Sequence, residues 1–332
     1  MPTGRVEIHA FESRVLAGNP AGDPHVRRVP VWLPPSYDTE PARRYPVLFV
    51  LTGFAGRGRM LLNDTAWSLP LDERLDALVA KGCGEMIVVM PDCFTRFGGS
   101  QYINSGATGR YTDHLVDELV PWSDATFRTR AHRDHRGVAG KSSGGFGAMT
   151  LGMTRPDVFG AVACHSGDMY FEYCYRPDIP RACTVLQRAG GTRAFLERLE
   201  SNPQKTQDDF TTINILGMAA CYSPDPAAEM GVALPFYLAT GAFREDVWAR
   251  WLAFDPVLRL PACEAALRSL RLLFLDCGTR DEFHLHHGAR LFARGLGERG
   301  IPHVHEEFAD SHMNVSYRYD TSLPLLAAAL GA

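Results

Sequence analysis

The apolar positions of this chain fall into short unbroken runs, separated by stretches with helical spacing. Residues 45–51, Tyr-Pro-Val-Leu-Phe-Val-Leu, are apolar throughout, and residues 85–90 are apolar after Glu85. Runs of this kind suit strands buried on both faces, as in a parallel sheet. Comparable runs predict strands over residues 159–165 and 271–276, and residues 303–308, where His303 and His305 alternate, predict a last strand. Two alternating stretches, 5–14 and 25–33, predict strands linked through the turn residues Gly18-Asn19-Pro20. Helical spacing predicts helices over residues 111–127, 288–299 and 323–330. Strands that alternate with helices predict an α/β fold, a mostly parallel sheet with helices on both faces. The alternation fades between Asp168 and about Asp255, where aromatics and helical patterns near residues 195–199 and 247–252 replace it. The expectation is one α/β domain over residues 1–332, with a cap-like insertion at about 168–255 above the sheet edge.

Composition narrows the class without choosing a chemistry. A chain of 332 residues, 45% hydrophobic and 22% charged, suits a globular enzyme. A net charge of -4 with mixed signs gives no reason to expect a nucleic-acid partner. Residues 1–12 lack a basic region followed by an apolar stretch, and no apolar run approaches 18 residues. Neither a secretion signal nor a membrane span is therefore expected, and the cytoplasm is the expected location. Eight scattered cysteines without a C-x-x-C pair suit free thiols in a reducing compartment. A homo-oligomer is allowed, since nothing in the pattern fixes the oligomeric state.

The candidate chemistry starts at Gly140-Lys141-Ser142-Ser143-Gly144, a G-x-S-x-G that follows an apolar run. This pattern predicts a sharp strand-to-helix turn that exposes the Ser142 hydroxyl at the sheet edge. Gly140 and Gly144 supply the neighbours without side chains that such a turn needs. The following helix would direct its N-terminal N–H groups at negative charge forming on that spot. Ser143 would contribute one of those N–H groups, half of an oxyanion hole. Ser143 as the nucleophile lacks a glycine two positions earlier, where Lys141 stands. A phosphate loop would need glycine at position 135, which is His135.

A serine hydroxyl needs a base, and the base needs an orienting acid, in the chain order Ser, acid, His for this kind of sheet. Asp281 lies past a glycine turn beyond the strand over 271–276, with Asp276 and Glu282 as alternatives. His312 follows the last predicted strand and is the candidate base. Phe54, in the turn Thr52-Gly53-Phe54-Ala55-Gly56, is expected to offer the second oxyanion N–H. His284, His286 and His287 lack acidic or cysteine ligands spaced to complete a metal site, so no metal is expected. Tyr170, Phe171 and Tyr173 open the irregular stretch and are candidates for the substrate-binding wall.

With these residues in place, the chain resembles the esterase D-like family of α/β-hydrolases. That family includes S-formylglutathione hydrolases, feruloyl and enterochelin esterases and mycolyltransferases. The resemblance rests on Val31-Trp32-Leu33-Pro34-Pro35-Ser36-Tyr37, Gly99-Ser100-Gln101-Tyr102-Ile103-Asn104-Ser105, the segment 111–121, the elbow and Asp276-Cys277-Gly278-Thr279-Arg280-Asp281. It implies an α/β-hydrolase fold and hydrolysis of a small-molecule ester without a cofactor. It also implies Ser142 as nucleophile, Asp281 as acid, His312 as base, and the Phe54 and Ser143 N–H groups as the oxyanion hole. A thioesterase or an acyltransferase would use the same residues, and a non-catalytic binding protein is the rival from another class. Two positions depart from the family pattern, Thr52-Gly53 in place of His-Gly and Asp310-Ser311-His312 in place of a glycine before the histidine.

Overall fold

The unbroken apolar runs form the interior of the sheet. The computed structural model describes residues 3–332. Its strands are, in chain order, β1 (Arg5–Glu12), β2 (Val26–Leu33), β3 (Val47–Leu51), β4 (Ile87–Val89), β5 (Asn104–Ser105), β6 (Gly109–Arg110), β7 (Arg136–Lys141), β8 (Ala161–His165), β9 (Leu272–Gly278) and β10 (Val304–Phe308). Eight of them form one sheet in the order β1-β2-β4-β3-β7-β8-β9-β10, and β5 pairs with β6 apart from it. The β1–β2 and β2–β4 pairs are antiparallel. Every other pair in this sheet is parallel.

Side-chain alternation explains the layering. Val47, Phe49 and Leu51 of β3 join one core, together with Phe146, Ala148 and Leu151 of the helix Ser143–Thr154. Leu48 and Val50 of the same strand join the opposite core, together with Leu323, Leu326 and Leu330 of the helix Tyr319–Leu330. Each of the Val, Leu and Phe side chains among these contributes about 1.5–3 kcal/mol on burial. The same parity runs through β8 and β9. Val162, Cys164, Leu273 and Leu275 face the first core, while Ala161, Ala163 and Phe274 face the second.

Differences from the sequence reading have local causes. The helix predicted over residues 111–127 ends at Thr126 and opens into a wider π-turn at His114–Leu119. Pro121, which follows, has no N–H to continue the ordinary ladder. The helix Leu71–Ala80, with buried Leu71 and Leu75 on one side, was not anticipated. Between β8 and β9 the chain is helical, including Ile179–Ala189, Thr192–Ser201, Gln207–Tyr222 and Glu245–Leu252. All eight cysteines are free thiols. Among the described residues no helix is long and apolar enough to cross a membrane.

Because β3, β7, β8, β9 and β10 run parallel, their carboxyl ends lie along one edge. That edge carries the loops beginning at Thr52, Ser142, Ser166, Thr279 and Ala309, and the candidate chemistry gathers there.

Candidate active site

Ser142 sits between β7 and the helix Ser143–Thr154 with φ 57° and ψ −127°. A non-glycine residue in that region is strained and persists only where its surroundings hold it. Two backbone bonds do so. The Ser142 N–H donates to the His165 carbonyl at 2.9 Å, and the Ser142 carbonyl accepts from the Phe146 N–H at 2.9 Å. The flanking glycines are there for close packing of the backbone. A Cβ on Gly140 would lie 2.3 Å from the Gly144 carbonyl oxygen, and one on Gly144 would lie 2.3 Å from that of Leu51. Gly144→Ala should therefore cost at least about 1–3 kcal/mol by overpacking, measured as a lower midpoint in urea unfolding.

Asp281 and His312 meet across the edge. His312 Nδ1 lies 2.7 Å from Asp281 Oδ2, and the His312 N–H donates to Glu282 Oε2 at 2.7 Å. The other carboxylate oxygen, Asp281 Oδ1, accepts from the Phe283 N–H at 2.9 Å. Burial opposes ionisation of Asp281, but the His312 contact and the Phe283 and Leu285 N–H groups outweigh it, and the carboxyl is held below its ordinary range. The contact's contribution to stability is thus complete at neutral pH and is lost as pH falls through that depressed value. The stability gap between the protein and Asp281→Asn, read from urea unfolding, should narrow below about pH 4.

Ser142 and His312 line one cavity of about 530 Å³, together with Gly53, Phe54, Lys141 and Ser143. The Ser142 hydroxyl makes no hydrogen bond among the described residues, so it is not linked directly to the Asp281–His312 pair. Catalytic hydrogen bonds often close only when substrate is bound. The Phe54 N–H and the Ser143 N–H likewise make no hydrogen bond among the described residues. The Phe54 turn is braced from outside, with Ala55 N–H donating to the Gly98 carbonyl at 2.7 Å and Tyr102 Oη donating to the Thr52 carbonyl at 2.6 Å. Phe283 packs edge-on against the His312 ring at 4.8 Å.

A second Ser–His–Asp chain lies on the opposite face of the sheet. His165 Nδ1 is 2.8 Å from Asp276 Oδ1, and His165 Nε2 is 2.8 Å from Ser322 Oγ. Arg318 Nε donates to Asp276 Oδ2 at 2.8 Å. His165, Asp276 and Ser322 are fully buried, and none of them lines the cavity. Strand parity is the reason. Asp276 and His165 project toward the helix Tyr319–Leu330, as Phe274 does, and the His165 ring packs on Tyr319 at 4.7 Å. The structure therefore separates Asp276 and His165 from the cavity that Ser142 and His312 share.

The expected substrate wall is displaced by one helical turn. Tyr170, Phe171 and Tyr173 do not line the cavity, whereas Cys174 and Tyr175 do. Phe171 is fully buried and stacks on Tyr222 at 5.3 Å, and the Tyr170 ring packs on Tyr173 at 4.5 Å. Asp255 fixes this arrangement by accepting from the Tyr170 and Phe171 N–H groups. Other residues missed include Lys141, Asp168, Phe283, Leu285, Met313 and the stripe Gln207, Phe210 and Asn214 along the helix Gln207–Tyr222. The i, i+3, i+7 spacing of that stripe was a readable signal. Burial pushes the Lys141 amine down, opposed by the charges of Asp281 and Glu282. Among the described residues no three His, Cys, Asp or Glu side chains are grouped to hold a metal ion, and His286 and His287 instead stack on each other at 4.1 Å.

Comparison with known proteins agrees with this architecture. A family model described as "Putative esterase" matches residues 24–318. The chain is 30% identical over 234 residues to Esterase Rv1288 of Mycobacterium tuberculosis, covering 67% of this chain and 47% of that one. It is 33% identical over 135 residues to an endo-1,4-beta-xylanase/feruloyl esterase of Xylanibacter ruminicola, covering 38% of this chain and 17% of that one. The chain thus spans less than half the length of either relative. Among solved structures, a ferulic acid esterase superposes with a TM-score of 0.65 at 22% identity, covering 100% of both chains. An S-formylglutathione hydrolase of Staphylococcus aureus superposes with a TM-score of 0.59 at 15% identity, covering 99% of both chains. The strand order, the turn at Ser142 and the family match lead to one statement: the chain has the α/β-hydrolase fold and belongs to this esterase family.

Proposed function

We propose that this protein hydrolyses carboxylic esters through a covalent acyl-enzyme on Ser142. The observation that carries the proposal is that His312, held by Asp281 at 2.7 Å, lines the same cavity as a strained serine at a helix N-terminus. Ser142 Oγ attacks the ester carbonyl carbon while His312 Nε2 takes the hydroxyl proton. Asp281 holds the imidazole through Nδ1 and stabilises its cationic form. The oxyanion accepts hydrogen bonds from the Phe54 and Ser143 N–H groups, which have no protein partner to give up. As the carbon–oxygen bond breaks, His312 returns the proton to the leaving alcohol. Water, deprotonated by His312, then releases the acid and restores Ser142. In this reading the chain is one α/β-hydrolase domain, with residues 168–255 as an insertion that supplies part of the cavity wall.

The test combines a panel of nitrophenyl esters of increasing acyl length with fluorophosphonate labelling and peptide mapping. Turnover with the label on Ser142 is expected. Absence of both turnover and labelling in folded protein would overturn the proposal.

A further inference from the structure

Beyond the residues assigned to the reaction, the cavity carries two polar side chains whose acceptors are not fully used. Asp168 follows β8 and lines the cavity, although the residue is 5% exposed. Its Oδ2 accepts from Tyr175 Oη at 2.7 Å, Gln101 Nε2 at 3.0 Å and Ser143 Oγ at 3.2 Å. Its Oδ1 accepts from no protein group and yet is not sealed off as a buried unpaired atom. Asn214, on the helix Gln207–Tyr222, lines the same cavity, and its Oδ1 is buried without a hydrogen-bond partner.

The carboxyl is also held rigidly. Tyr175 is fixed by ring contacts with Phe171 at 4.7 Å and Trp251 at 6.0 Å. Gln101 Nε2 is held in turn against Tyr222 Oη at 3.0 Å. The protein's donors serve Oδ2 alone, so the unmet hydrogen-bonding capacity of this buried carboxyl lies at Oδ1. Three donors aimed at one oxygen leave the other oriented toward the cavity for a ligand. Burial pushes the Asp168 carboxyl up from its ordinary value, with Tyr175 and Gln101 opposing. Lys141 lines the same cavity and has no ion pair among the described residues, so a cationic ligand group is disfavoured there.

We infer that Asp168 and Asn214 form a specificity subsite for a hydroxyl group carried by the ester substrate. The inference rests on the ester-hydrolase reading above, and it deepens that reading by naming a substrate class, hydroxylated esters. The hydroxyl donates its one proton to Asp168 Oδ1, and its oxygen accepts from Asn214 Nδ2, which has no hydrogen-bond partner among the described residues and, unlike Oδ1, is not sealed off. Both the acyl and the alcohol portions of an ester could bring such a hydroxyl, so the test has two arms. One arm compares nitrophenyl esters of hydroxyacyl acids, with the hydroxyl at successive chain positions, against their methyl isosteres. The other compares acetate esters of glycols against those of the methyl-isosteric alcohols.

In one arm, kcat/KM should favour the hydroxylated member by about ten- to hundredfold, the penalty of leaving a buried acceptor unsatisfied when the methyl isostere binds. Asp168→Asn should lower that ratio several-fold, and Asn214→Leu should lower it as well. The ratio is taken on a single preparation, so it does not depend on how much of a variant folds. If Asp168→Asn yields no folded protein, Asn214→Leu still decides the matter. Equal handling of both members at every position in both arms would overturn the inference. So would a ratio left unchanged by the variants, or a preference for ammonium-bearing members. Failure of the underlying reading looks different, since the wild-type protein would then turn over neither member and Ser142 would stay unlabelled.

Discussion

Ser142→Ala is expected to lower ester turnover by at least about 10³-fold and to remove fluorophosphonate labelling altogether. The loss should fall on kcat, because the hydroxyl forms its bond to the carbonyl carbon only as the reaction proceeds. The strained backbone at φ 57° is imposed by the backbone bonds to His165 and Phe146, so alanine can occupy it and the fold should survive. Circular dichroism and the urea midpoint would establish that survival. Retained labelling of another residue in Ser142→Ala, with turnover intact, would place the nucleophile elsewhere, with Ser143 the first position to examine.

His312→Ala should cost as much, on the order of 10³-fold or more in kcat, since no other histidine lines the cavity. Asp281→Asn should cost up to about 10⁴-fold, because an amide at that position favours the wrong imidazole tautomer. The two losses should be far from additive in the double variant, as for residues that act as one unit. Asp276→Asn and Ser322→Ala provide the contrast. They break a Ser–His–Asp chain whose two contacts are 2.8 Å each, on the other face of the sheet, and none of its three residues lines the cavity. Their effect should appear first as a lowered unfolding midpoint, since the fully buried His165 loses a partner.

Much of the scaffold was readable in the sequence because a strand buried on both faces leaves a continuous apolar signature. The runs containing Val47–Leu51 and Ile87–Val89 needed no three-dimensional information to be recognised. Ser142, Asp281 and His312 were nameable for a related reason. Each follows a strand end, and parallel strands bring those ends to one edge, where the structure places all three. What stayed hidden depends on contacts between distant segments. Asp168 has no motif of its own, and its surroundings are supplied by Gln101, Ser143 and Tyr175. Gln101 and Tyr102 both take positive φ, at 48° and 57°, a geometry that no local pattern announces. The aromatic cluster at 170–175 misled because aromatics serve a core and a binding wall equally well. One turn of helix decided that Phe171 is core while Tyr175 meets the cavity.

The chain of contacts from His165 through Asp276 to Arg318 and Ser322 also sets a timetable. β7 and its serine turn leave the ribosome well before β10, the His312 loop and the helix that carries Ser322. Until that helix docks, Asp276 and His165 have no partners on its face, and the loop that presents His312 has no anchor at its far end. A growing chain can therefore form the strained turn at Ser142 before the segment that carries His312 exists.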